Sequence, residues 1–236
     1  VHPTSMKFVG PNDILILEKE SGLVRLVSNG KLQPNPIFHT TVENLVERGM
    51  LGLAVSNASA EDGSKKNVFL YYTEKNSGGE VRNRVYKYEW DGGNSSLTSG
   101  KILLDLPGTP GPNHNSGKLA ISPRDGMLYA IIGELNREGM VQNFKDGPKP
   151  DGSSAVYRVD PQTGNAAKNN PLSSDDPAIN AVISKYYAYG IRNSFGLAFD
   201  PLTGTLWETE NGPEVNDELN IIMPGFNGGW KSVIGP

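Results

Sequence analysis

Short apolar runs separated by turn residues recur along the chain. The strings LAISPRDGMLY at 119–129 and LAFDPLTGTLW at 197–207 share one order: an apolar run, a turn with Pro, Asp or Gly, and a second apolar run. A looser copy, MKFVGPNDILI, occupies 6–16, and a fourth joins LGLAV at 51–55 to VFLYY at 68–72 through a polar turn. Self-similarity on this scale indicates one supersecondary unit used repeatedly.

Six segments rich in β-branched and aromatic residues are predicted as strands, at 14–17, 24–27, 68–72, 85–90, 127–132 and 155–159. Residues 85–90 alternate in the manner of a half-buried antiparallel strand. The single fair helical pattern covers 176–187. Residues 133–154 have little apolar content and predict a long loop, a type of segment that is often functional.

The strand spacing predicts an all-β fold, which leaves a sandwich, a barrel or a propeller. The repeat favours the propeller, because each copy has the form of two adjacent strands of a blade and their turn. We expect about four blades in a single domain over 1–236. The segments 51–55, 119–122 and 197–200 are predicted as inner strands.

The composition of the chain excludes several classes of partner and site. The chain has 236 residues and a formal net charge of −4, which argues against a nucleic-acid interface. It has no cysteine, so disulfides and thiolate metal sites are excluded. No apolar stretch reaches the length of a membrane span.

Four stretches resemble one known family. They are ERGMLGLA at 47–54, HNSGKL at 114–119, GIRNSFGLAF at 190–199, and a final group of NGP at 211–213, DELN at 217–220 and GFNGGW at 225–230. In order and spacing they resemble the soluble quinoprotein glucose dehydrogenases and aldose sugar dehydrogenases, also called glucose/sorbosone dehydrogenases. The resemblance implies a six-bladed β-propeller that holds pyrroloquinoline quinone (PQQ) and calcium at the mouth of its channel.

His114 is the candidate catalytic residue. Sugar oxidation by a quinone needs a base for the hydroxyl proton, and free imidazole titrates close to neutral pH. The resemblance places the family's general base at His114. The alternative is a loop histidine that bonds a backbone carbonyl. His2 and His39 match no motif and are interpreted as surface residues.

The resemblance places cofactor contacts at Arg192 and Asn193, with Asn211 and Glu47 as further candidates. A guanidinium can bind a carboxylate with two hydrogen bonds, and PQQ carries carboxylates. The alternative for Arg192 is a salt bridge between blades. Many family members have glutamine at the position of Glu47.

Two calcium sites follow from the same resemblance. Calcium accepts backbone carbonyl oxygens, so Gly212 and Pro213 can bind the calcium that contacts the quinone. Glu218 and the carbonyl near Gly228 resemble a second, structural site, for which the alternative is a solvated acidic turn. Two positions depart from the family: Asn113 stands where some relatives have aspartate, and Gly228 where many have tyrosine.

The resemblance covers the whole chain but only about two-thirds of a family member, which has about two further blades. We therefore expect the ring to be completed by further chain or by a second copy, and we favour further chain because the match to the longer family runs unbroken to the last motif. These 236 residues alone are expected to aggregate or self-associate and not to oxidise sugars with added PQQ.

The implied activity is oxidation of the C1 hydroxyl of aldose sugars to the lactone, with hydride transfer to PQQ. It implies an external electron acceptor, a secreted or periplasmic location, and a homodimer as one option. The alternatives are a non-catalytic propeller that binds a glycan or a protein, and a calcium-dependent lactonase-type propeller. The lactonase alternative requires a ring of Glu, Asn and Asp side chains around one metal.

Overall fold

The computed structural model describes residues 2–57, 65–138 and 147–235. Almost all of the regular structure described is β-strand, arranged in four antiparallel sheets. The chain divides into two compact units, Val1–Asp105 and Leu106–Pro236, with two sheets in each.

The first unit contains two sheets in chain order. One sheet has β1 (Pro3–Phe8), β2 (Asp13–Glu18), β3 (Leu23–Ser28) and β4 (Lys31–Leu32), with β5 (Phe38–His39) also paired to β3. The other has β6 (Met50–Asn57), β7 (Lys66–Lys75), β8 (Val81–Trp90) and β9 (Thr98–Pro107). Their facing side chains form one core, which includes Leu15, Leu17, Val24, Met50, Val68, Leu70 and Trp90.

The second unit is built in the same way. Its first sheet has β10 (Leu119–Ile121), β11 (Leu128–Ile132), β12 (Ala155–Val159) and β13 (Tyr186–Tyr189), and its second has β14 (Ser194–Phe199), β15 (Leu206–Glu210) and β16 (Glu218–Ile222). A helix, α1 (Pro177–Ile183), precedes β13. The core between these sheets includes Tyr129, Ile131, Val156, Ala188, Ile191, Leu206 and Ile222.

The predicted repeat is confirmed as one hairpin used four times. The copies at 6–16, 51–72, 119–129 and 197–207 form β1–β2, β6–β7, β10–β11 and β14–β15, the first two strands of each sheet. Side-chain hydrogen bonds stabilise the turn between β14 and β15. The carboxylate of Asp200 accepts hydrogen bonds from the backbone N–H groups of Leu202 and Thr203 at 2.7 and 2.9 Å. The fold is the predicted all-β propeller type, with four blades in this chain.

The helix prediction over 176–187 is too long. Asp176 caps α1 by accepting hydrogen bonds from the N–H groups of Ala178 and Ile179, but the helix ends at Ile183 and none of its residues is buried. Tyr186 belongs instead to β13, where its ring is buried against Tyr157 at 5.2 Å between centroids. Strand pairing and burial of this aromatic side chain therefore override the helical spacing.

The predicted loop at 133–154 is confirmed over 133–138 and 147–154, which contain no strand or helix, and residues 139–146 lie outside the described part. Within the described residues, no helix has the length and apolar character that a bilayer span requires. The single-domain organisation stays a prediction.

Candidate functional site

His114 lies in the irregular segment before β10, where its Nδ1 contacts the Oε1 atom of Glu134. Glu134 follows β11 by two residues, and its side chain is only 1% exposed, against 15% for His114. A buried carboxylate that accepts a hydrogen bond from Nδ1 fixes the ring orientation and tautomer. Nε2 is then the ring nitrogen left to accept a proton from a reactant.

The main chains of His114 and Arg192 meet at Gly133. A Cβ atom on Gly133 would lie 2.3 Å from the carbonyl oxygen of His114 and 2.6 Å from that of Arg192, so only glycine fits this contact. The next residue continues the connection, because the backbone N–H of Glu134 donates to the carbonyl of Arg192 at 2.9 Å. The structure therefore brings two of the predicted site residues together through their backbones.

The guanidinium of Arg192 is held at two points. Its Nη1 donates to the carbonyl oxygen of Asn211 at 2.9 Å, and its Cζ lies 5.1 Å from the ring centroid of Trp230. The buried Nε has no hydrogen-bond partner, and no carboxylate forms an ion pair with Arg192 among the described residues. Arg192 is thus oriented by neutral groups and retains a donor for an anionic ligand.

Asn193 is almost fully buried and ties together two segments of the site. Its Oδ1 accepts hydrogen bonds from the backbone N–H and the hydroxyl of Ser116, both at 3.1 Å. The hydroxyl of Ser116 in turn accepts from the N–H of Ser194 at 2.8 Å. These bonds join the segment of His114 to the start of β14, so the side chain of Asn193 supports the site from inside the protein.

A small cavity of about 10 Å³ collects most of the other predicted residues. Its lining includes the sequence-predicted residues Arg192, Asn211, Gly212, Glu218 and Gly228. The structure therefore brings Gly212, predicted for one calcium site, to the same place as Glu218 and Gly228, predicted for the other. The buried Oδ1 of Asn211 has no hydrogen-bond partner among the described residues. Pro213 is exposed and is not part of this lining.

Strand β15 carries two buried carboxylates that lie outside the sequence motifs. Glu208 and Glu210 are 1% and 6% exposed and pair across the sheet with Asn220 and Glu218. Burial raises the pKa of both carboxyl groups, and for Glu210 the negative charge of Glu208 adds to the effect. The sequence LWETE at 206–210 indicates this burial, because side chains alternate along a strand. Glu208 and Glu210 therefore lie on the same face as buried Leu206.

The hydrogen bonds of the two carboxylates differ. Oε1 of Glu210 accepts from the backbone N–H of Arg192 at 2.6 Å, whereas Oε1 of Glu208 accepts from Nδ2 of Asn220 at 2.9 Å. The Oε2 atoms of both are buried without a partner in the described part of the chain. The motifs do not contain Glu134, Glu208 or Glu210, and Trp230 lies in the motif GFNGGW without a role assigned to it.

Glu47 lies in the first unit, half-buried in the turn before β6, and its contact with the cofactor stays a prediction. Over the ranges that the structure describes, no group of three or more His, Cys, Asp or Glu side chains is arranged to hold a metal ion.

Comparisons with known proteins identify the family of the chain. Residues 1–235 match the model of the Glucose / Sorbosone dehydrogenase family, and the chain belongs to that family. It is 29% identical to quinoprotein glucose dehydrogenase B of Acinetobacter calcoaceticus over 96% of its own length and 49% of the relative. The chain spans about half the length of the curated relatives that it matches, from 49% to 58%.

Solved structures share the fold. An oxidoreductase described as a glucose dehydrogenase from Thermus thermophilus is 30% identical, with a TM-score of 0.81 over 99% of this chain and 65% of the other. The PQQ-bound form of an aldose sugar dehydrogenase from Streptomyces coelicolor is 26% identical, with a TM-score of 0.78 over 98% and 63%. Both of these proteins are described as sugar dehydrogenases, and this chain shares their fold.

Proposed function

We propose that this protein is a PQQ-dependent dehydrogenase that oxidises the C1 hydroxyl of aldose sugars to the lactone. The observation that carries the proposal is the buried contact between Glu134 and Nδ1 of His114, connected through the backbone to Arg192. A base oriented by a carboxylate, beside a cation with an unused donor, suits removal of a proton next to an anionic cofactor. The names of the relatives support a sugar as the substrate.

The residues present fit PQQ. Arg192 offers an unpaired, buried Nε–H to an anion, and its guanidinium is already fixed by Asn211 and Trp230. When bound, PQQ supplies the two-electron acceptor that takes the hydride from C1 of the sugar. Glu47 is proposed as a further contact, and Asn193 acts by holding the segment of His114.

His114 moves the proton. With Nδ1–H donated to Glu134, the lone pair of Nε2 accepts the proton of the C1 hydroxyl as the C1–H bond breaks and the C1–O double bond forms. Glu134 stabilises the imidazolium that results, because a carboxylate beside a cation in a buried site favours the charged pair.

Calcium is proposed at carbonyl oxygens of Gly212 and Pro213, with a second ion at Glu218 and Gly228. Oxygen ligands of this kind suit calcium. The unpaired Oδ1 of Asn211 and Oε2 of Glu210, which lie in residues lining the same cavity, fit a cation nearby. An external electron acceptor, a homodimer and a secreted or periplasmic location complete the proposal.

An absorbance titration with PQQ tests the function. The complete protein, rather than residues 1–236 alone, is mixed with PQQ, with and without calcium, and an aldose is then added. We expect a shift of the quinone band on binding, and bleaching of that band by sugar without any added dye. A quinone band that shifts but is not bleached by any aldose would support the binding-module alternative, and no shift at all would refute the proposed cofactor.

A further inference from the structure

We propose that Glu210 is a positioning residue: its carboxylate holds the peptide of Arg192 and, through that peptide, the Glu134–His114 pair. The role rests on the proposed function, because positioning matters for catalysis only if His114 and Arg192 form the working site. The contacts that carry the proposal are present in the structure whatever the substrate is.

The peptide groups of Arg192 are fixed from both sides. Its N–H donates to Oε1 of Glu210 at 2.6 Å, and its carbonyl accepts from the N–H of Glu134 at 2.9 Å. Glu134 is the residue whose carboxylate contacts His114 Nδ1. Glu210 is therefore connected to the imidazole through two residues, Arg192 and Glu134. The connection consists of the two hydrogen bonds at the Arg192 backbone and the contact of the Glu134 carboxylate with Nδ1.

Close packing leaves this connection little freedom. Gly133 lies against the carbonyl oxygens of both His114 and Arg192, at distances that exclude even a methyl group. A displacement of the Arg192 peptide must therefore displace Gly133 or His114, since packed interiors transmit such shifts.

The end of β15 fixes the side chain of Arg192 as well. Asn211, the residue after Glu210, accepts a hydrogen bond from Nη1 of Arg192 with its carbonyl and donates its own N–H to the carbonyl of Asn193 at 2.8 Å. Residues 210–211 thus hold the backbone and the guanidinium of Arg192 together, which orients the donor proposed for the cofactor.

Burial of the Glu210 carboxyl group costs free energy that a purely structural position would not require. It is 6% exposed, its Oε2 has no partner in the described ranges, and a Cβ on Gly228 would lie 3.3 Å from that atom. Burying a carboxyl group with one unused oxygen costs free energy that an apolar side chain would avoid. A cost of this kind is expected where a side chain serves a functional site.

The test compares three variants. Glu210→Met keeps the length of the side chain and removes the strong acceptor, Glu210→Gln keeps an acceptor oxygen, and Thr209→Val is the control at the neighbouring, exposed position of β15. The first readout is the nitrogen-15 spectrum of the histidine rings in cofactor-free protein, which is simple because the chain has three histidines. The second is the dissociation constant of PQQ.

In Glu210→Met we expect the His114 ring signals to move toward the average of the two tautomers, and PQQ to bind at least about tenfold more weakly. Glu210→Gln should restore both properties to near wild type, and Thr209→Val should leave both unchanged. Wild-type ring signals in a folded Glu210→Met protein would overturn the proposal, as would an equal change in Thr209→Val. If wild type fails to bind PQQ, the proposed function fails while the ring comparison still decides this role.

Folding is checked by melting temperature. If Glu210→Met does not fold, the Arg192 amide proton decides the question in wild type and in Glu210→Gln. A bond to the carboxylate predicts protection from hydrogen exchange by at least about a hundredfold, and a shifted amide signal in Glu210→Gln but not in Thr209→Val. An unprotected Arg192 amide would overturn the proposal.

Discussion

The carbonyl oxygens of His114 and Arg192 both lie within 2.6 Å of the position that a Cβ atom on Gly133 would occupy. Three backbone segments therefore converge on a residue without a side chain. We predict that Gly133→Ala forces these segments apart, weakens PQQ binding at least about tenfold, and lowers the free energy of unfolding by about 2 kcal/mol or more. Titration with PQQ and denaturant unfolding measure the two effects.

Gly78→Ala is the matched control, because a Cβ there meets only the side chain of Asn76, at 3.4 Å. It should bind PQQ as wild type does and change stability little. Equal behaviour of Gly133→Ala and Gly78→Ala would contradict the close contact.

Glu134 is predicted to act through the tautomer of His114. Glu134→Gln can present an amide N–H to Nδ1, which would leave the proton on Nε2 and block its role as acceptor. We expect kcat for sugar oxidation to fall roughly 10²–10⁴-fold with a small change in KM. Glu138→Gln, at an exposed position of the same loop, should retain wild-type kcat. A kcat within twofold of wild type in Glu134→Gln would exclude this role.

The hydroxyl of Ser116 is predicted to stabilise the site by bridging Asn193 and the N–H of Ser194. Ser116→Ala leaves that buried N–H without its partner, so the free energy of unfolding should fall by about 1–3 kcal/mol. Ser99→Ala is the control: Ser99 also has a positive φ, of 57°, against 54° for Ser116, but it is exposed. Chemical denaturation of both variants checks the prediction, and equal losses would count against a special contribution from Ser116.

Much of the fold is predictable from the sequence because its causes are local. Alternation in β8 and the Asp turn at 200–203 depend on neighbouring residues, so the sequence predicts these strands and hairpins. The motifs also contain His114 and Arg192, whose backbones meet at Gly133 in the structure and whose roles stay predictions. By contrast, Glu134 becomes important only because the fold buries it against His114, and Tyr186 joins a strand because it packs on Tyr157. Such contacts join residues distant in sequence, and no local pattern contains them.

The buried carboxyl of Glu208 predicts a pH dependence of stability. Its pKa is raised by burial above the ordinary value of 4.5, so the folded state binds a proton that the unfolded chain releases. The stability contributed by this protonation is full below about pH 4.5 and is lost as the pH rises through the folded pKa. We expect the cofactor-free protein to lose stability between about pH 5 and 7.5, by an amount on the order of 1–3 kcal/mol.

Glu208→Gln removes the titrating group and keeps an acceptor for Asn220. Its free energy of unfolding should therefore decline less than that of wild type over the same range, measured by urea denaturation at several pH values. Parallel pH profiles for the two proteins would show that Glu208 does not titrate in this way.

Single-turnover reduction of bound PQQ tests the central claim most directly, because it isolates proton and hydride removal from later electron transfer. Protein loaded with PQQ and calcium is mixed with an aldose, and bleaching of the quinone band is followed by stopped flow. His114→Asn should bind PQQ as wild type does but reduce it at least about a hundredfold more slowly, whereas His39→Asn, altered at an exposed position of β5, should match wild type. Bleaching by His114→Asn at the wild-type rate would contradict the assignment of His114 as the proton acceptor.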